Sequence, residues 1–363
     1  MNKLVFHLLC LLLIAVAVCS CSTNQASAAD LAQAKRQLES EQTLQPHTPF
    51  APREFDPYLN GRWIGQAVSY GCYRQGQAPG VKGPNKAEIL QDLQIIQRHW
   101  NLIRVYNADD DTQRILEVIH ENKLPLKVML GIWLENESNQ PQAKASNIAN
   151  ILRGIELANA YPELIAAVNV GNETQVYWSG HRLDSKLLIK YLRTVRAHSN
   201  VPVTTADDYN FWNKTESLQV AEEIDFIVVH IYPLWNGKSL DNAIVWLDQT
   251  FREVQGVHPE KLVVLGEIGW ATDYDPSKTG DGEQGTLIKT EVGLEAQERF
   301  LLALDGWVHN NQIVTFLFEA FDEPWKGGGE YTAAIEIEKN WGVFYVNRTP
   351  KMSFTSYLAK KER

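Results

Sequence analysis

The amino-acid sequence predicts a single (β/α)8 barrel, in which eight parallel strands alternate with helices around one closed core. The first observation behind this fold class is the alternation itself, since strand-like apolar runs and helix-periodic segments succeed each other from residue 61 onward. The second is that the runs are apolar almost throughout, which is typical of parallel strands buried on both faces beneath covering helices. The roughly 300 residues after position 57 suffice for one such domain.

Eight strand-like runs can be placed along this part of the chain, with helical patterns between them. The runs cover residues 62–69, 102–107, 126–133, 165–172, 201–206, 224–232, 262–268 and 313–321. The helical patterns cover residues 86–99, 112–122, 143–160, 186–199, 239–254 and 294–310. In a barrel of this type the functional residues lie at the carboxyl ends of the strands, so the residues that end each run are the first candidates for a functional site.

The first 57 residues differ from the barrel in composition. Residues 1–20 combine a positively charged start, an apolar stretch and a small-residue end, which is the layout of a secretory signal. The apolar stretch is too short to cross a membrane comfortably. Residues 21–57 are rich in Ala, Gln, Ser and Pro, and they predict a flexible, Pro-rich tether that leads to one domain at 58–363.

The end of the signal resembles a bacterial lipobox, because residues 18–21 read Val-Cys-Ser-Cys. We expect Cys21 to carry the lipid, since bulky Val18 is an unusual residue directly before a cleavage point at Cys19. The alternative is ordinary cleavage near residues 28–29, which would release a soluble exported protein. The lipidated form predicts an exported, lipid-anchored protein, at the outer membrane if the source is Gram-negative, because Ser22 and not Asp follows the modified residue.

Composition excludes several classes of function. Of the four cysteines only Cys72 belongs to the barrel, so no disulfide framework is expected and Cys72 is interpreted as a packed residue. The net charge is −10 and basic residues are scattered, which leaves no electrostatic footprint for nucleic acid. There is no His/Cys set with metal-ligand spacing and no Ser/His/Asp array, so neither a metal nor another cofactor is predicted.

Two glutamates at the ends of strand-like runs give the strongest functional signal. Glu173 directly follows the run 165–172, and Glu267 lies at the end of the run 262–268. A single glutamate in such a place would be interpreted as a solvated strand end. Two of them, on the fourth and seventh strands of one barrel, predict a pair of facing carboxylates. Glycoside hydrolysis requires such a pair, one to protonate the leaving oxygen and one to attack or stabilise the sugar cation.

The chain resembles glycoside hydrolase family 17, the β-1,3-glucanase and β-1,3-glucanosyltransferase family. Any one matching tripeptide is common, but the order and spacing of the matches are specific. The matching pieces are Ile103-Arg-Val-Tyr106, Val170-Gly-Asn-Glu173, His230-Ile-Tyr-Pro233, Gly266-Glu-Ile-Gly-Trp270, Ala320-Phe-Asp-Glu-Pro-Trp-Lys326 and Glu338-Lys-Asn-Trp-Gly-Val-Phe344. The resemblance implies a retaining hydrolase that cleaves β-1,3-glucan through a covalent glycosyl-enzyme intermediate.

The resemblance also implies roles for individual residues. Glu173 would be the general acid/base, and Glu267 would be the nucleophile. Asn172 would hydrogen-bond the sugar 2-hydroxyl, and Tyr232 would donate to Glu267. Arg104 is open between support of Glu267 and a structural ion pair in the barrel mouth.

Further substrate-binding residues are expected around the pair. The family positions matched by Glu323, Lys326 and Glu338 form a polar cluster beside the site. Aromatic rings on which sugars stack are expected just past the strand ends, with Trp270, Trp212 and Phe321 leading. The full set of aromatic candidates is Tyr106, Trp133, Tyr177, Trp178, Trp212, Trp235, Trp270, Phe321 and Trp325.

Two other functions remain open at this point. A β-1,3-glucanosyltransferase would share the first chemical step with a hydrolase, so the sequence motifs cannot separate the two. A non-catalytic lipoprotein that only binds polysaccharide is disfavoured by the intact pair Glu173 and Glu267. The expected partners are a β-glucan polysaccharide or oligosaccharide and, through the lipid anchor, a membrane, and the protein is expected to be a monomer.

Overall fold

The computed structural model describes residues 27–41, 43–138, 140–326 and 336–361, and it contains a closed barrel of eight parallel strands. Each strand pairs with the next along the chain, and the last pairs with the first, so the sheet has no open edge. The strands are β1 (Gln66–Ser69), β2 (Leu102–Val105), β3 (Lys127–Ile132), β4 (Ile165–Asn172), β5 (Val203–Asp208), β6 (Ile227–His230), β7 (Val263–Ile268) and β8 (Thr315–Leu317). The predicted (β/α)8 fold is confirmed.

Helices surround the barrel and connect its strands. The longer ones are α1 (Ala28–Glu39), α2 (Lys86–Ile96), α3 (Asp110–Asn122), α4 (Ala143–Ala160), α5 (Ser185–His198), α6 (Ala243–Val257), α7 (Leu294–Asn311) and α8 (Met352–Lys361). Short helical turns cover Tyr209–Trp212, Thr215–Ser217, Leu218–Ala221, Leu240–Asn242, Gln284–Leu287 and Ile337–Lys339, and a small hairpin pairs Tyr58–Leu59 with Arg62–Trp63.

Local capping determines where several helices begin. Asn85 accepts a hydrogen bond from the Glu88 backbone N–H at 3.0 Å, and Glu88 accepts one from the Asn85 N–H at 2.9 Å, which closes a capping box at the start of α2. Asp109 accepts from the Thr112 N–H at 2.9 Å. The helix α3 therefore begins at Asp110, slightly before the predicted start at 112.

The barrel interior is filled by apolar side chains, as the continuous apolar runs require. Every residue of β2, β5, β6 and β7 is buried. The inside of the barrel is packed by a cluster that includes Phe55, Met129, Ala167, Phe226 and Phe316. A packed interior fixes the relative positions of the strands, so the residues at their carboxyl ends are held in a rigid frame.

The described part of the predicted tether packs against the barrel. Helix α1 buries Ala34 and Leu38, which are four residues apart and form an apolar stripe, against α4 and α5. Lys190 of α5 donates to the backbone carbonyls of Leu38 at 2.7 Å and Ser40 at 2.6 Å. Residues 28–57 are therefore not a free linker, because this stripe and these backbone carbonyls have partners on the barrel.

After α1 the chain follows the outside of the barrel to the end at which the strands begin. Arg53 donates its backbone N–H to Asp225 at 2.6 Å, and the Phe55 ring stacks on Phe226 with centroids 4.5 Å apart. Asp30, in the first turn of α1, interacts electrostatically with His198 at the end of α5, whereas Lys190 in the middle of α5 binds the carbonyls of Leu38 and Ser40 at the end of α1. Helix α1 therefore runs antiparallel to α5 and begins at this same end of the barrel.

The predicted signal peptide and Cys21 lie outside the described residues. Among the helices that the structure describes, none combines the length and the hydropathy that a membrane-spanning helix needs.

Candidate active site

The two predicted glutamates meet at the carboxyl end of the barrel, together with a histidine. Glu173 directly follows β4, His230 ends β6, and Glu267 lies near the end of β7. One carboxylate oxygen of Glu173, one ring nitrogen of His230 and one carboxylate oxygen of Glu267 all lie within 4.8 Å of one another. Three strands that are distant in sequence thus bring three ionisable groups to one place.

Glu267 is an almost fully buried carboxylate that is held by three donors. Its Oε1 accepts from Arg104 Nη1 at 2.8 Å and from the Tyr106 hydroxyl at 3.0 Å, and its Oε2 accepts from the Tyr232 hydroxyl at 2.7 Å. Burial acts to raise the pKa of Glu267, but the electrostatic interactions with His230 and Arg104 and the two hydroxyl donors outweigh it and lower that pKa. Glu267 is therefore ionised, and its three hydrogen-bond donors fix the orientation of its carboxylate.

Glu173 has the opposite character, because it lacks a comparable set of donors. Its backbone adopts a left-handed conformation with φ 51°, which follows a turn at Gly171, φ 82°. Its side chain is 19% exposed, and burial together with the negative charge of Glu267 raises its pKa to about 8, with Arg104 opposing. Near neutral pH Glu173 therefore carries a proton that it can give to a leaving group.

His230 links the two glutamates and fixes which oxygen of Glu173 can act. Burial lowers the pKa of His230 to about 4, so near neutral pH the ring is uncharged. Its Nε2 lies 3.0 Å from Arg104 Nη1 and must accept that bond, and its Nδ1–H therefore donates to Glu173 Oε1 at 3.0 Å. With Oε1 occupied as an acceptor, the proton of Glu173 resides on Oε2.

Sequence reasoning gave His230 no role, although a signal for it was present. His230 precedes Tyr232 by two residues at the end of a strand, and such residues share one face of the sheet. The prediction that Tyr232 contacts Glu267 therefore also placed His230 toward the site.

Arg104 organises these groups from β2. Besides Glu267 and His230 it donates to the Gly266 carbonyl at 3.0 Å and, through Nη2, to Asn172 Oδ1 at 2.6 Å. The ion pair with Glu267 means that Arg104 supports that carboxylate and is not a separate structural pair. Because Asn172 accepts through its oxygen, its amide NH2 group is turned away from Arg104 and can donate to a bound molecule.

The three ionisable groups could in principle hold a metal ion, but their surroundings do not suit a cation. Arg104 already places a permanent positive charge 2.8 Å from Glu267 and 3.0 Å from His230. Both ring nitrogens of His230 have partners in this network. A cation in the same place would be repelled by Arg104 and would have to displace these hydrogen bonds.

A second polar cluster lies beside the site and contains the predicted residues Glu323, Lys326 and Glu338. Lys326 lies 2.7 Å from Glu323 and donates to both oxygens of Glu319 at 2.9 and 2.8 Å. Burial raises the pKa of Glu338, the positive charge of Lys326 opposes this shift, and the negative charge of Glu267 adds to it. Glu338 therefore interacts electrostatically both with the cluster and with Glu267. Glu319, which follows β8, was missed because it stands in an apolar run.

The three leading aromatic candidates belong to the core, so the prediction that they contact sugar is wrong. Trp212 is 0% exposed and donates its indole N–H to the Val228 carbonyl at 3.0 Å. Trp270 is 1% exposed and packs on Phe300 of α7 with ring centroids 5.0 Å apart. Phe321 is likewise 1% exposed. Directly after a strand the chain can turn a side chain into the layer between strands and helices, where these rings lie.

Other aromatic candidates keep contact with the cleft or with solvent. Tyr106 is partly buried and binds Glu267, as described above. Tyr177 and Trp178 are exposed, whereas the remaining candidates are partly buried, namely Trp133, Trp235 and Trp325. A ring that sequence reasoning did not select, Trp341, packs on Tyr232 with centroids 5.2 Å apart and so supports the hydroxyl that binds Glu267.

Comparison with known proteins finds a matching family model and several relatives. The family model of the BtgE/BtgC glycoside hydrolase domain matches residues 67–342. A glucan 1,3-beta-glucosidase of Arthroderma benhamiae is 26% identical over 82% of this chain and 96% of its own length. A glucan endo-1,3-beta-glucosidase btgC of Emericella nidulans is 26% identical over 74% of this chain, which spans only 42% of that relative.

Solved structures share the fold at low sequence identity. An endo-laminarinase from Formosa Hel1_33_131 superimposes with a TM-score of 0.70 at 21% identity, over 82% of this chain and 88% of that one. A glycoside hydrolase family 17 beta-1,3-glucanosyltransferase from Rhizomucor miehei gives a TM-score of 0.61 at 23% identity, over 79% and 95% of the two chains.

Proposed function

The chain belongs to the BtgE/BtgC glycoside hydrolase family, and on this basis we propose that it cleaves β-1,3-glucan with retention of anomeric configuration. The observation that carries the proposal is the close approach of Glu173 and Glu267, whose oxygens lie within 4.8 Å. Carboxyl groups of retaining enzymes are about 5–5.5 Å apart, and those of inverting enzymes about 6.5–9.5 Å apart, to leave room for a water. The glucan substrate is supported by the names of the relatives.

In the proposed first step, the ionised Glu267 attacks the anomeric carbon while Glu173 gives its proton to the leaving oxygen. The bond to the leaving sugar breaks, a bond from Glu267 to the sugar forms, and the proton on Glu173 Oε2 leaves with the departing hydroxyl. Of the two Glu267 oxygens, Oε2 has one donor and Oε1 has two among the described residues, so Oε2 is the better nucleophile.

In the second step the roles of the charges reverse. Glu267 is now an ester without charge, so the pKa of Glu173 falls and its carboxylate can accept a proton. It takes this proton from a water, which attacks the anomeric carbon and releases Glu267. Asn172 supports both steps, because its NH2 group, which is turned away from Arg104, can donate to the sugar 2-hydroxyl, a bond that strengthens as positive charge develops.

Glucanosyl transfer is the second candidate function. A sugar hydroxyl in place of water in the second step would pass the glucan to another chain, with the same residues in the same roles. The Rhizomucor miehei neighbour, described as a glucanosyltransferase, keeps this alternative open. A protein that only binds polysaccharide would have no need of two carboxylates with such different pKa values.

Product analysis on a laminari-oligosaccharide tests these proposals together. We expect NMR to show the β-anomer as the first product, and chromatography to show shorter oligosaccharides if hydrolysis dominates. Products longer than the substrate would indicate transfer. Initial release of the α-anomer would contradict retention, and an unchanged substrate would contradict the proposed activity.

We also propose that the protein is exported and anchored through lipid on Cys21, at a bacterial outer membrane. This proposal is supported by the signal layout of residues 1–20 and by the lipobox-like residues 18–21. A Cys21→Ser variant should move from the detergent phase to the aqueous phase and keep its activity, since Cys21 lies outside the barrel. Aqueous partitioning of the unmutated protein would contradict the anchor and leave the enzymatic proposal intact.

A further inference from the structure

Two neighbouring aromatic side chains, Tyr177 and Trp178, have no role in the mechanism above. They lie on the loop between β4 and α5, only four and five residues after Glu173, and they are 70% and 52% exposed. Adjacent aromatic rings that remain in water next to a catalytic group are unusual, because such rings normally bury most of their surface. Their placement indicates a surface that a ligand covers.

The loop that carries these rings is fixed by hydrogen bonds. The Asp207 carboxylate, at the end of β5, accepts from the backbone N–H groups of Gln175 at 2.7 Å and Val176 at 3.1 Å. The Ser179 N–H donates back to the Val176 carbonyl at 3.2 Å, which closes a turn around Tyr177 and Trp178. The two rings thus project from a turn whose backbone is fixed by hydrogen bonds. Little backbone conformational entropy is therefore lost when a ligand packs on them.

The loop flanks the side of the cleft that Glu173 serves. Tyr177 faces Lys214, which follows β5, at 5.9 Å from the ring centroid, and His181 of the same loop packs on Trp133, which follows β3, at 4.5 Å. Four extended residues span about 14 Å at most, so Tyr177 lies within that distance of Glu173. Glu267, by contrast, belongs to β7, on the other side of the barrel mouth.

We infer that Tyr177 and Trp178 form a subsite for the glucosyl units on the leaving-group side of the scissile bond. The inference rests on the proposed function. A proton donor must lie beside the leaving oxygen, so the sugar attached to that oxygen extends along the Glu173 side of the cleft. The apolar C–H faces of glucosyl units pack on aromatic rings, and neutral sugars need no charged partner there. The same subsite receives the acceptor when the intermediate is transferred.

Substrates with different leaving groups test the subsite. The variants Tyr177→Ala and Trp178→Ala are compared on a laminari-oligosaccharide and on β-laminaribiosyl fluoride, whose leaving group is too small to reach the rings. We expect kcat/KM on the oligosaccharide to fall about tenfold in each variant, and that on the fluoride to change less than about twofold. Trp178→Phe should retain most of the activity, and Tyr58→Ala, an exposed tyrosine of the hairpin before β1, serves as the matched control.

The outcomes separate the subsite from the proposed function. Equal losses on both substrates, or no loss on the oligosaccharide, would contradict the subsite while the hydrolase stands. An unmutated enzyme that leaves the oligosaccharide and the fluoride intact would contradict the proposed function, and the subsite with it.

Discussion

At the scale of single residues, the hydrogen-bond donors around each carboxylate distinguish the two glutamates. Glu267 accepts hydrogen bonds from Arg104 at 2.8 Å and from the hydroxyl groups of two tyrosines, whereas Glu173 contacts the neutral His230. Two chemically identical side chains, brought within 4.8 Å, thus take opposite protonation states. A retaining mechanism needs this difference in protonation between the two glutamates before the substrate binds.

Removal of each glutamate should have a different effect. Glu267→Ala removes the attacking group and should abolish turnover on every substrate. Glu173→Ala should slow glucan cleavage by about 100- to 10,000-fold but spare substrates with good leaving groups, and added azide should restore part of the rate by entering the vacated space. Steady-state kinetics with and without azide measure this. The control is Glu216→Ala, at an exposed glutamate, and equal behaviour of the two glutamate variants would contradict the assigned roles.

The raised and lowered pKa values predict two limbs of the pH profile. Glu173 must be protonated, so kcat/KM should decrease as pH rises through about 8. Glu267 must be ionised, so activity should decrease only as pH falls below the usual carboxyl range. Tyr232→Phe removes a donor to the charged form of Glu267, which raises its pKa, and the acidic limb should move to higher pH. Tyr58→Phe should leave both limbs in place.

At the scale of elements, the sequence predicts the strands and the close approach of Glu173 and Glu267 well, and the exposure of aromatic rings poorly. Continuous apolar runs identify all eight strands because burial on both faces leaves few polar positions, and strand ends locate Glu173 and Glu267. The direction of a ring after a strand end depends on contacts distant in sequence, such as the Val228 carbonyl that receives the Trp212 N–H. The docking of α1 was missed for a similar reason, because its stripe of Ala34 and Leu38 is short.

The reassignment of Trp212 to the core makes a testable difference. Trp212→Ala leaves a cavity and removes the hydrogen bond to the Val228 carbonyl, so it should reduce the free energy of unfolding by about 3–5 kcal/mol. At temperatures where the variant is folded, the KM for laminari-oligosaccharides should stay close to that of the parent. Urea denaturation and steady-state kinetics measure the two quantities. A raised KM with unchanged stability would show instead that Trp212 contacts the substrate.

At the scale of the whole molecule, the barrel is covered at one end and open at the other. The N-terminal segment covers the end where the strands begin, with Phe55 stacked on Phe226 and Arg53 bound to Asp225. Glu173 and Glu267 lie at the other end, and the barrel interior between the two ends is packed. The two ends are therefore separate in function, and a change at one need not disturb the other.

The docking of α1 also decides which way an anchored enzyme would face. Since α1 begins at the covered end, Ser27 and the catalytic mouth lie at opposite poles of the barrel. From Cys21 to Ser27 the chain has six peptide links, which span about 20 Å when extended. If Cys21 carries lipid, this short connection would hold the covered end of the barrel near the bilayer. The cleft would then face away from the membrane. Such an enzyme would cleave glucan that approaches from the aqueous side. It would not cleave glucan chains that lie against its own membrane.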